Sequence, residues 1–484
     1  MSDERIVEEY NLNDVRIKVL SSGEYSISIS PPSPRASKIL KIIPFYFDPS
    51  EIADEKRRER NISSLAKRLS LSESDVEWLR AKLSGYDVLY PLMRDPKVTD
   101  IWVKSDRQLL VRHQEYGDLT VTLNGRPLIL SKGEVHNLAL RLASKAGVAI
   151  NLKNPTIEGA RLGKDRVTIS ILGEPYVIIR KFPRHPWTLH KLVARRMLTA
   201  KAAALLWLFN EAKIPIMIYG PMGSGKTSLA GAIIATAKPK ATLIIIQDMP
   251  EINIAHPYAH YLYPTPAVGY SKLLSLALRT GSEYLIMGEV RNEEEARTFV
   301  QAIKTGHGGV TTIHAKEVQD IISRLKHFGL SSADITSVKV FVKTGMFESK
   351  AKGIRTYIRR VLSVELVEGV GDDFSITKVI EYDQVSDSWL ERLEPEIFDL
   401  LCNSMFVREA VIRSRLELRE KWLTLLANRY ERGRFIETAE DWYASLEVFY
   451  SEEDSLLRII NEPEKLATGL VQLVARVEAR RWET

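Results

Sequence analysis

Cysteine is nearly absent from this sequence: Cys402 is the single one among 484 residues. One thiol cannot close an intrachain disulfide, nor can it supply the paired thiolates of a cysteine-based zinc site. Cys402 itself reads as a small apolar side chain inside a fold. Also lacking is any run of about 18 uncharged apolar residues, and the opening Met-Ser-Asp-Glu-Arg has no apolar stretch of signal-peptide length. The expectation is a soluble protein of a reducing cytoplasm. A dominant charge is missing too, because 68 Lys and Arg stand against 62 Asp and Glu, a net of +6 over a long chain. That balance describes a solvated surface and argues against nucleic-acid binding, which is supported only by a pI near 9.0. Repeats and low-complexity tracts do not occur.

What is present is apolar material, 45% of the chain, and at about 100–200 residues per domain the length predicts three or so domains. Residues 1–90 mix β-rich pieces such as 14–20 with helical stretches such as 72–83, where Val76, Leu79 and Leu83 recur at helical spacing. Residues 91–185 carry short strand-like runs at 101–103, 109–111 and 119–122, the last ending in the hairpin pair Asn124-Gly125. A helix at 133–146 and strands at 167–171 and 176–179 complete an α+β domain, and Pro183 and Pro186 favour an extended connector behind it. Residues 186–370 alternate helix and strand: 200–212, 214–219, 226–237, 242–246, 271–279 and 284–287. Nearly continuous apolar strands between helices predict an α/β core, a parallel sheet covered on both faces. From 371 to 484 the chain reads as a charged helical extension, with helices at 407–427 and 439–450 packing a small cap.

The chemistry gathers in the α/β part. Gly220-Pro221-Met222-Gly223-Ser224-Gly225-Lys226-Thr227 follows a predicted strand and opens a predicted helix. Gly220, Gly223 and Gly225 let the backbone curl with its N–H groups inward, and the helix N-terminus adds its dipole. With Pro221, Met222, Ser224 and Ser228 they form a phosphate cradle in which Lys226 meets the β- and γ-phosphates of ATP and Thr227 meets Mg²⁺. The apolar strand 284–287 leads to Glu289, a candidate general base or water-positioning residue that also reaches the metal through water. Asp248 and Glu251 fall on the loop behind strand 242–246, at the edge where α/β sheets collect ligands; an ordinary proline turn explains them equally well. His307 and His314 frame the glycine-containing stretch 305–315. They either sense the γ-phosphate from a flexible segment or serve as hydrogen-bonded structural groups, and no third metal ligand is near in sequence.

Taken in order, the phosphate loop, Asp248–Glu251, the stretch Leu278–Arg291 and Thr305–Ala315 resemble the Walker A, Asp box, Walker B and His box of the traffic ATPases of type II and type IV secretion systems. The resemblance extends upstream to Val98–Ile101 and Val111–Asp118, similar to the N-terminal domain of the archaeal branch. It implies a RecA-like P-loop NTPase core behind a PAS-like α+β domain, with ATP and Mg²⁺ held between them. Arg161, Arg166 and Arg180 match family arginines that reach the nucleotide, and Arg291 falls in the Walker B stretch. The resemblance further implies a homohexameric ring, peripheral at the cytoplasmic face of the membrane, that drives a polytopic platform protein and through it pilin-like subunits. The role so implied is that of the motor of a pilus, archaellum or type II-like machine. Two departures stand out. Gln247 occupies a position where relatives commonly carry Glu, which makes slow turnover or a regulatory role an alternative; a nucleic-acid translocase of the same fold is another. The four-cysteine zinc module of many bacterial relatives is impossible here, which favours the archaeal pilus and archaellum branch.

Overall fold

In the computed structural model the described residues are 5–46, 48, 54–182, 185–254, 256–265, 267–351, 354–370, 373–432 and 438–480; Pro183 of the connector lies outside them. The chain divides into two units, Met1–Arg184 with Glu348–Tyr357, and His185–Phe347 with Ile358–Thr484.

Ten strands build the first unit: β1 (Ile6–Leu12), β2 (Val15–Leu20), β3 (Glu24–Ser28), β4 (Val98–Lys104), β5 (Leu110–His113), β6 (Gly117–Leu123), β7 (Arg126–Pro127), β8 (Thr156–Leu162), β9 (Asp165–Ser170) and β10 (Tyr176–Arg180). They form one sheet in the order β1-β2-β3-β6-β5-β4-β10-β9-β8, with β7 beside β6. Parallel pairing of β3 with β6 puts residues on both sides of position 90 into one sheet. Period-two alternation drives this: Val15, Ile17 and Val19 of β2 point into the same core as Val111, Leu119 and Val121. Asn124 and Gly125, at φ 50° and 75°, make the turn into β7. The helix Lys132–Lys145 starts from a capping box of Ser131 and Glu134 and lays Val135, Leu138 and Leu142 on the sheet.

The second unit holds β11 (Ile216–Tyr219), β12 (Leu243–Ile246), β13 (Ala259–Leu262), β14 (Tyr284–Met287), β15 (Gly308–Ile313), β18 (Asp373–Asp383), β19 (Ser388–Glu391) and most of β16 (Val340–Ala351) and β17 (Ile354–Val370), whose adjoining ends within 348–357 fall to the first unit. Their order is β13-β12-β14-β15-β11-β16-β17-β18-β19, parallel from β13 through β16. Alternate residues enter separate cores on the two faces, Ile216, Ile218, Ile245 and Ile286 on one, Met217, Tyr219, Ile246 and Met287 on the other. That is why these strands read as unbroken apolar runs.

Two expectations change past residue 370. The chain there stays in the sheet, because the alternation of Phe374 and Ile376 with polar neighbours is a strand pattern that its charges disguise, and β18 and β19 extend it to Glu391. The helices begin only at Pro395, as Pro395–Met405, Glu409–Glu431, Ala439–Arg458 and Pro463–Arg480. Nor are they a cap of their own: Trp422, Trp442 and Phe449 share one continuous core with Trp207 and the sheet residues Ile216 and Ile218.

Candidate active site

Strand β11 is buried along its whole length and delivers the chain to the carboxyl edge of the parallel strands. There the loop turns into the helix Lys226–Ile234. Gly220 sits at φ 145°, and a Cβ on it would lie 2.2 Å from the carbonyl oxygen of Thr344, so the close approach of β16 requires glycine. Thr344 also braces the loop: its hydroxyl donates to the Tyr219 carbonyl at 3.0 Å and lies 2.7 Å from Ser224 Oγ, which bonds the Pro221 carbonyl at 2.8 Å. Gly223 and Gly225, at φ 77° and 93°, complete the curl. Pro221 and Met222 are exposed, and Ser228 is half-buried in the first helical turn.

Lys226 is buried, with Nζ donating to the carbonyls of Gly220 at 3.1 Å and Pro221 at 2.9 Å. Burial lowers its pKa from 10.5 to about 8, against the pull of Glu289 and Glu251. His314, immediately after β15, places Nδ1 3.2 Å from Lys226 Nζ and Nε2 3.1 Å from Glu289 Oε1. Burial, aided by Lys226, holds its pKa down. A neutral ring protonated on Nε2 satisfies both contacts, accepting from the lysine and donating to the glutamate. Burial raises the Glu289 pKa, with Glu295 adding to the shift and Lys226 opposing it.

On the neighbouring loop, Thr227 Oγ1 lies 3.5 Å from Glu251 Oε2. A hydroxyl and a carboxylate so placed suit Mg²⁺, a hard cation that takes few protein oxygens and leaves the remainder to phosphates and water. Among the described residues no three His, Cys, Asp or Glu side chains gather into a metal site of their own. Asp248 is otherwise engaged: Tyr270 donates to its Oδ1 at 2.6 Å, and Arg291 pairs with Oδ2 while also reaching Glu295 Oε1 at 3.3 Å. Arg291 thereby ties the Asp248 loop to the helix Glu293–Lys304.

His307 is not brought to this edge. It precedes β15, whereas His314 follows it, so the two stand at opposite ends of a six-residue strand. His307 Nδ1 lies 3.0 Å from Thr305 Oγ1 and 3.2 Å from the Ala302 carbonyl at the end of the preceding helix. The glycines beside it are not a flexible element either. Gly308 and Gly309 are buried in β15, where a Cβ would fall 2.6 Å from the Tyr284 ring or 3.0 Å from Phe299. The three upstream arginines belong to the first unit. Arg161 Nε donates to the Gly163 carbonyl at 3.0 Å, Arg180 Nε to Asp100 at 2.9 Å, and Arg166 lies where a Cβ on Gly159 would meet its guanidinium.

Nothing in the sequence singles out Thr344 or Arg359. Both come to the loop from β16 and β17, and Arg359 Nε donates to the Gly223 carbonyl at 2.8 Å. Only the sheet order reveals them, since β16 is the strand that flanks β11 on the side away from β15.

Residues 161–347 match the family model described as Type II/IV secretion system protein. The protein MJ1287 of Methanocaldococcus jannaschii is 30% identical over 224 residues, covering 44% of this chain and 73% of that protein. The chain belongs to the type II/IV secretion system protein family. A second Methanocaldococcus jannaschii protein, MJ0900, is 30% identical over 306 residues, 60% of this chain, and the match spans 54% of its length, about half. The conjugal transfer protein TrbB of Rhizobium radiobacter is 28% identical over 291 residues, 58% of this chain and 87% of that protein. Among solved structures, the ATPase DotB of Legionella pneumophila is 16% identical with a TM-score of 0.45, covering 73% of this chain and 93% of that one. The stretch that the type II/IV secretion family model covers runs from Arg161 past His314 and contains every candidate site residue named above except Arg359, which lies beyond it.

Proposed function

We propose that this chain hydrolyses ATP as the motor subunit of a type IV pilus-like, archaellum-like or type II-like machine. The observation that carries the reading is the convergence of Lys226, Thr227, Glu251, Glu289 and His314 at the carboxyl edge of one parallel sheet. Phosphoryl transfer to water needs positioning and charge neutralisation more than covalent chemistry. Lys226 would exchange its carbonyl partners in the loop for the β- and γ-phosphates, gaining charge stabilisation where burial now opposes it. Thr227 and Glu251 would hold Mg²⁺, which neutralises the phosphates. Glu289, its pKa raised, would orient the attacking water and accept its proton, held in place by His314.

Arg161, Arg166 and Arg180 would add cations for the phosphates. Cycles of nucleotide binding and hydrolysis, passed around a homohexamer, would work on a membrane platform protein and through it on pilin-like subunits. Attachment would be peripheral at the cytoplasmic face; no helix among the described residues is long and apolar enough to cross a membrane. Two archaeal relatives and the single cysteine support the archaeal pilus and archaellum branch. The test is phosphate release from ATP by the purified chain, with and without Mg²⁺ and lipid. Stimulation by DNA with a steep salt dependence would instead favour a translocase.

A further inference from the structure

The loop between β12 and β13 presents Asp248 and Glu251, but Gln247, directly after β12, shapes it. Gln247 is 2% exposed. Its Nε2 donates to the Ile252 carbonyl at 3.0 Å and its Oε1 accepts from the Ile252 N–H at 2.8 Å. Both ends of the amide therefore bind the backbone of one residue, closing the segment 247–252 much as a strand pair closes a hairpin. Gly288, the residue directly after the neighbouring β14, leaves room for this: a Cβ on it would lie 3.2 Å from Gln247 Cβ. Ile252 follows Glu251, whose Oε2 stands 3.5 Å from Thr227 Oγ1. Fixing Ile252 thus fixes the carboxylate beside the Thr227 hydroxyl.

Chemistry selects the amide here. An ionised glutamate has acceptors only, so one of its oxygens would face the Ile252 carbonyl with no proton between them, and burial at this position would leave that repulsion poorly screened. We propose that Gln247 is a positioning residue for the divalent cation, setting the Glu251 carboxylate against Thr227. The proposal rests on the nucleotide reading above. Position 247 is then a clamp on the cation site and not a vacant general-base position.

The test titrates a fluorescent ATP analogue into the full chain in EDTA and across a Mg²⁺ series. Gln247→Glu and the volume-keeping Gln247→Met should both raise the Mg²⁺ concentration needed for tight binding by roughly 10–100-fold, the usual cost of losing a residue that orients a metal ligand. Binding in EDTA should stay as in wild type, which also reports an intact fold. Glu251→Gln should show the same loss, and adding Gln247→Glu to it should change nothing further, because the two act through one carboxylate. Wild-type Mg²⁺ dependence in both Gln247 variants, or losses that add in the double variant, would overturn the proposal. A wild-type chain that binds no analogue under any condition would sink the nucleotide reading itself, a different and recognisable result.

Discussion

Lys226 shows what it costs to keep a candidate phosphate-binding cation buried without a ligand. It is a buried cation satisfied by backbone carbonyls, with its pKa down at about 8. Below pH 8 the folded, nucleotide-free chain carries the full cost of that charge; from pH 8 to 10.5 the folded state sheds the proton before the unfolded state does, and the cost is relieved. Lys226→Met should therefore stabilise the nucleotide-free chain near neutral pH by about 1–2 kcal/mol, the shift being damped by nearby solvent. The gap to wild type should close as pH rises through that window in thermal melts; a gap independent of pH would contradict the assignment. Glu289→Gln should keep nucleotide bound on a filter and lose hydrolysis, and loss of binding would count against its role. Gly220→Ala should weaken nucleotide binding at least tenfold, about 1.4 kcal/mol, because its Cβ would fall 2.2 Å from a backbone oxygen that cannot swing aside. Unchanged binding by that variant would mean the loop does not hold the phosphates.

Among the elements, the C-terminal helices are the least expected part of the core. Trp442 Nε1 donates to the Ala235 carbonyl at 2.8 Å and Tyr450 OH to the Thr236 carbonyl at 3.2 Å. Both carbonyls lie just past the helix Lys226–Ile234, where orphan acceptors need partners. Arg419, fully buried, bonds Glu453 at 2.7 Å and Glu211 at 2.5 Å, tying three helices through charge. Arg419→Met should cost about 3–5 kcal/mol in urea unfolding, because two carboxylates would be left buried beside an apolar side chain. A loss under about 1 kcal/mol would mean that Lys238 and Arg415, also near Glu211, suffice. These contacts also explain what the sequence revealed and what it concealed. The phosphate loop, Glu289 and His314 were legible because glycine spacing and apolar strands are local signals. Thr344, Arg359 and Trp442 reach the site or its helix from more than a hundred residues away, and no local pattern announces such contacts. Between the two roles that the sequence leaves open for His307 no local signal decides, because its proximity to His314 in sequence hides the strand that separates them. Residues 373–391 were misjudged because charges on alternating positions mask a strand.

At the scale of the whole molecule, the first unit is a largely antiparallel sheet with helices, and the second is a parallel core extended by antiparallel strands and closed by C-terminal helices. Among the described residues, the second carries the complete set of phosphate, cation and water-directing candidates. If the arginines of the first unit act on the same nucleotide, Arg166→Ala and Arg180→Ala should lower kcat while leaving the fold and the Mg²⁺ requirement intact, and unchanged kcat would confine the chemistry to the core. The central claim is hydrolysis of ATP at Lys226, and its most direct measurement is phosphate release from ATP by the purified full chain beside Lys226→Ala. The account predicts Mg²⁺-dependent turnover in the wild type that EDTA and the substitution both abolish; turnover that survives Lys226→Ala, or none from the wild type with Mg²⁺ and lipid, would contradict it.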